Sequence, residues 1–260
     1  MDIEGITLLG SIVVALTGWW SWYRPLFSVT TLTSSAGSRS LLGLTPVASA
    51  AAMLLVLRAA ASHDVRNDPF YLAFYELLGI AWLAAAAALF PFLGINARDD
   101  ALQRGNSAAT WAVSGAVLGV TLCFSGGNIG DGPGVQVVFA AAGLSTLTLF
   151  LLWFALEWLG GLSEKITVER DLSCGVRLGG FLVACGLILG AGVAGDWVEG
   201  RLVPDFIRFC WPVLILLAAA ILVELLFRPS SLRKPAVSAL PAAVYVAIAA
   251  GYVFALGVPI

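Results

Sequence analysis

Charge is what this chain has least of. Of its 260 residues only 12% are Asp, Glu, Lys or Arg while 60% are hydrophobic, and the mean hydropathy is +0.94. A water-soluble domain needs far more surface charge, so that class is excluded. Histidine is nearly missing. His63 stands alone beside Asp64, and a lone loop histidine reads as solvated rather than as a metal ligand or base. The four cysteines, Cys123, Cys174, Cys185 and Cys210, form no Cys-x-x-Cys motif. They read as apolar buried thiols, with Cys123 and Cys210 both toward one face. Lysine occurs only at Lys165 and Lys234, in loops between hydrophobic runs, which excludes a Schiff-base pigment. The net charge of −2 gives no hint of a nucleic-acid partner. No cofactor is implied.

What is present is a series of apolar runs about 20 residues long, enough to cross a hydrocarbon core of roughly 30 Å. They lie near 4–23, 41–61, 70–95, 107–126, 134–160, 172–195, 206–227 and 237–258. Runs of this length satisfy their own backbone as helices. The reading is therefore an all-α polytopic membrane helix bundle of about eight transmembrane helices. The second run is the weakest, being alanine-rich and containing Pro46. Asp2 and Glu4 precede the first run, which argues against a signal peptide. Arg24, Arg39, Arg98, Arg104, Lys165, Arg170, Arg228, Arg233 and Lys234 fall in loops on one side, against Arg58, Arg66, Arg201 and Arg208 on the other. That asymmetry makes the first side cytoplasmic and places both termini outside.

A shift of 65 positions aligns Asn106 with Asp171, Ser114 and Gly115 with Gly179 and Gly180, Gly127 with Gly192, and Asp131 with Asp196. The bundle is thus read as parallel two-helix repeats: a two-span unit over 1–66, repeat 1 over 67–132, repeat 2 over 133–198 and a diverged unit over 199–260. The strings RGNSAATWAVSGAVLGVTLCFSGGNIGDGPG and ITVERDLSCGVRLGGFLVACGLILG resemble the YjfL-type family of bacterial inner-membrane proteins, a domain of unknown function built of tandem two-helix units. The resemblance covers roughly residues 70–196. It implies the bacterial cytoplasmic membrane and, through members found beside membrane-stress proteins or polyamine-type synthases, an envelope role. It brings no catalytic residues.

Between the fourth and fifth runs stands GGNIGDGPG. No Lys or Arg occurs between 105 and 163, so this is no phosphate loop, which needs positive charge. It reads as a glycine turn with Pro133 opening the next helix. Its functional alternative is a cation-attracting outer mouth of Asn128, Asp131 and Asp196. Gly115-x-x-x-Gly119 and Gly186-x-x-x-Gly190 are small-residue faces for close helix packing, within the chain or in a homo-oligomer. Arg177, Glu157 and Glu224 fall at similar depth near the inner boundary and form a candidate intramembrane ion pair, with Arg177–Glu157 the pairing to test. Glu76, Arg58 and Arg208 are an analogous outer set. No ionisable residue stands near the middle of a span, which counts against a proton relay.

Two functional expectations follow. One is a non-enzymatic scaffold in the lipid bilayer, associated with the envelope or with membrane stress. Its loops ARDDALQRG and SEKITVERD either lie on the membrane as short amphipathic turns or receive a peripheral cytoplasmic protein partner. The other is an oligomeric channel for ions or small solutes, lined by Ser107, Ser114, Thr121 and Ser173 of the return helices.

Overall fold

The structure is a computed structural model that describes residues 3–28, 36–226 and 235–257. Helices are α1 (Ile3–Ser28), α2 (Ala36–Ala60), α3 (His63–Asn67), α4 (Pro69–Ala87), α5 (Ser107–Gly126), α6 (Val135–Gly160), α7 (Leu162–Thr167), α8 (Leu172–Val193), α9 (Leu202–Cys210), α10 (Pro212–Leu226) and α11 (Pro235–Ala255). Among the described residues there is no strand. Among the described residues six helices are long and apolar enough to cross a membrane, or seven if the pair α9 and α10, bent by 42°, is one span. The several long apolar helices mark a membrane-embedded protein. The eighth expected run falls on α11, whose apolar stretch Ala239–Ala255 is shorter. Arg228, Arg233 and Lys234 lie outside the described residues.

Local chemistry sets the helix ends. Asp68 caps α4, its carboxylate accepting from Phe70 N at 2.7 Å, with Pro69 in the first turn. Asn106 caps α5 through Ala108 N at 2.9 Å, and Asp171 caps α8 through Ser173 N at 2.9 Å. Each oxygen meets an amide that the first helical turn leaves without a partner. The third span ends at Ala87 rather than 95. Pro91 offers no N–H to the Ala87 carbonyl, so the chain tightens into a 3-10 turn, Phe90–Leu93, closed by Gly94 at φ 90°.

Proline also shapes the interior of α2. Pro46 is buried there and cannot donate to the Leu42 carbonyl. Trp22 of α1 does so instead, its Nε1 donating at 3.1 Å, and Tyr23 Oη donates to Gly43 O at 3.0 Å. Satisfied carbonyls are what allow a proline inside a membrane helix. The bend between α9 and α10 is handled alike: Pro212 follows it, and Tyr252 Oη of α11 donates to Phe209 O at 2.8 Å.

The bundle is organised around α5 and α8, which share its largest interface. They run parallel. A Cβ on Gly175 would strike Ala108 near their starts, one on Gly115 would strike Gly179, and one on Gly126 would strike Gly190 near their ends. Only glycine permits backbones so close, so this pair is packed backbone to backbone. α2 packs on α5, α11 on α8, α1 on α4, and α6 against both α5 and α8. The four return helices α2, α5, α8 and α11 thus form a row. Beyond them the segments that follow α2, α5 and α8 are stitched together: Gly130 N donates to Ala60 O at 3.2 Å, Gly195 N to Ile129 O at 2.9 Å, and Trp197 N to Asp131 O at 2.7 Å.

Candidate functional site

One end of the bundle carries Arg98, Arg104, Lys165 and Arg170, and the other Asp131 and Asp196. At the basic end Glu224 of α10 gathers donors from two other helices. Arg177 donates from Nε to Oε1 at 2.5 Å and from Nη2 to Oε2 at 2.9 Å. Lys165 Nζ of α7 reaches Oε2 at 3.4 Å and the Glu224 carbonyl at 3.1 Å, and Cys174 Sγ lies 3.6 Å from Oε2. The Arg177 and Glu224 side chains are each only 3% exposed. The cluster ties α10 to α7 and α8 through charge-assisted hydrogen bonds on both carboxylate oxygens.

The expected Arg177–Glu157 pairing is corrected. Glu157 ends α6 and accepts from Ser163 N at 2.8 Å and Ser163 Oγ at 2.5 Å, pinning the start of α7. The outer set is corrected too. Among the described residues no ion pair joins Glu76 to Arg58 or Arg208, and Glu76 Oε2 is buried without a hydrogen-bond partner. Sequence reasoning missed Lys165 as a partner of Glu224, because 59 residues separate them and a loop lysine normally reads as solvated.

The basic-end loops are folded elements. Residues 97–103 make a π-helical turn capped by Asn96, and 162–167 make α7. Ala101, Leu102, Leu162 and Ile166 are buried, and the Asn106 Nδ2 donates to Ile166 O at 2.6 Å. The apolar side of each loop is therefore keyed into the bundle. Val168, Glu169 and Arg170 remain exposed. Arg170 adopts φ 55°, and it stands where the preceding loop has Gly105 at φ 61°. Positive φ is easy for glycine and costly for arginine.

At the opposite end Asp131 and Asp196 meet, Asp131 N donating to Asp196 Oδ1 at 2.9 Å. With Asn128, Tyr75, Arg201 and Asp205 they line a cavity of about 160 Å³. Asn128 is buried and spends its Nδ2 on Phe124 O at 2.8 Å. Gly115, Gly119, Gly186 and Gly190 are all spent on α5–α8 packing, Gly119 lying against both Leu182 and Gly186. Ser107 is exposed, whereas Ser114 and Thr121 are buried on α5. Thr121 Oγ1 donates to Val117 O at 2.8 Å, and Ser114 Oγ has no hydrogen-bond partner among the described residues. All four cysteines are free and buried, and no group of three or more His, Cys, Asp or Glu gathers among the described residues.

No curated protein and no solved structure matches this chain. Residues 69–193, running from the first residue of α4 to the last of α8, match the family model described as Domain of Unknown Function (DUF350), the uncharacterised domain family to which this part of the chain is similar.

Proposed function

We propose that the protein is a non-enzymatic membrane scaffold that supports the envelope, or answers membrane stress, through its basic-end loops. The observation that carries this reading is Arg170. A rigid loop holds it outward at φ 55°, where the neighbouring loop uses glycine. Backbone strain of that kind persists where a side chain is needed at the position. On this reading the basic end faces the cytoplasm of a bacterial inner membrane, both termini lie outside, and a peripheral protein docks on Val168, Glu169 and Arg170. The closed α5–α8 interface supports it, since backbones in contact leave no path between the two repeats. A photo-crosslinking residue at Val168 tests the reading in cells. A discrete adduct, lost on Arg170→Gly in a protein that still folds, supports docking; no adduct from well-expressed protein counts against it.

A second reading, passage of ions or small solutes, is favoured by buried hydroxyls at Ser49 and Ser114 that have no hydrogen-bond partner among the described residues. It moves the path away from the α5–α8 pair toward the seam between α2 and α5. Ion flux in liposomes tests it, with Ser114→Leu as the blocked control.

A further inference from the structure

The seam between α2 and α5 carries hydroxyls along the whole of α5 and along the first half of α2. At 3.6 residues per turn, Ser107, Thr110, Ser114, Thr121 and Ser125 fall within an arc of about 60° on α5. By the same period Ser38, Thr45 and Ser49 fall within about 40° on α2. The two arcs face each other. At the basic end Gly37, Ser38, Leu41, Ser107, Thr110 and Trp111 line one recess of about 340 Å³. At the other end Ala60 O accepts from Gly130 N at 3.2 Å, and Ala61, Ser62 and Asn128 line the aspartate-end cavity. This register sets Ser49 about one helical turn from Ser114 along the seam.

Five of these hydroxyls fall into two kinds. Thr45, Thr110 and Thr121 donate to carbonyls of their own helices, at 2.7, 3.0 and 2.8 Å, which leaves their lone pairs free to accept. Ser49 is 0% exposed and Ser114 3%, and neither Oγ has a hydrogen-bond partner among the described residues. An unpaired buried hydroxyl is costly, and two of them stand in one seam beside free acceptors, the polar partners a bound water uses. No side chain on either arc is charged, so nothing there replaces the hydration shell of an ion.

We infer that the α2–α5 seam holds a file of water that joins the two recesses and passes water across the membrane. This deepens the second reading above and rests on it, with water in place of ions. The test is stopped-flow osmotic shrinkage of liposomes holding the purified full chain. Wild-type protein raises water permeability above that of protein-free vesicles. Ser49→Leu and Ser114→Leu each remove the increment, and Leu147→Ala on the exposed face of α6 keeps it. Wild-type permeability equal to that of protein-free vesicles, or an increment that both folded leucine variants retain, overturns the inference. Ser49→Ala and Ser114→Ala give a readout that does not depend on the leucine variants folding. Loss of a water-bonded hydroxyl lowers the melting temperature, whereas removal of a dry, unpaired one raises it and overturns the inference. Absence of K⁺ or Cl⁻ flux in the same vesicles ends the ion-channel reading and leaves the water file standing.

Discussion

Glu224 holds two cations with one carboxylate, and Arg177 is buried with it. Glu224→Gln removes the carboxylate charge that Arg177 and Lys165 share, and breaking such a buried pair costs about 3–5 kcal/mol. Thermal unfolding in detergent will show the loss as a large drop in melting temperature. Glu157→Gln should cost only about 1 kcal/mol, because an amide oxygen still accepts from Ser163 N. Equal losses from the two variants would contradict the assignment of Arg177 to Glu224. Arg170 presents the opposite case. Arg170→Gly relieves a left-handed backbone position and should stabilise the fold by about 1 kcal/mol. A higher melting temperature together with loss of the Val168 adduct would separate the residue's task from its structural cost.

Among the elements, the α5–α8 pair and the proline in α2 were legible to different degrees. Glycines recurring at four-residue spacing announced a close helix contact, and the shift of 65 that paired Asp131 with Asp196 reappears as a hydrogen bond between them. The apolar runs located six spans because length and hydropathy are local properties. Partner choice was not legible. Arg177 had two glutamates at similar depth, and only the packing of α10 against α8 decides between them. The break at Pro212 was hidden in an apolar run, since hydropathy is blind to helix direction. Two predictions belong at this scale. Gly115→Leu drives a side chain into the backbone of Gly179 and should cost about 3 kcal/mol or more, while Gly251→Ala, with nothing within 4 Å, should be neutral or stabilising by up to about 1 kcal/mol. Trp22→Phe strips the Leu42 carbonyl of its donor and should cost about 1–3 kcal/mol in the native chain. In a Pro46→Ala background, where residue 46 regains its own N–H, the same change should cost much less. A double-mutant cycle on melting temperatures reads the difference, and additivity would refute the role given to Trp22.

The whole molecule is a bundle closed along α5–α8, with its charged groups gathered mainly at its two ends. Four parallel return helices form a row, the central pair in backbone contact, with folded loops keyed into the basic end and an aspartate-lined cavity at the other. A permeating ion must exchange its hydration for oriented polar groups, which neither the glycine backbone of α5–α8 nor the uncharged α2–α5 seam supplies, and the proposed scaffold needs no such path. The direct measurement is K⁺, Na⁺ and Cl⁻ flux from liposomes containing the purified protein. The expected result is silence for all three from protein that melts cooperatively. Selective flux that Ser114→Leu abolishes would contradict the scaffold and make the seam an ion path.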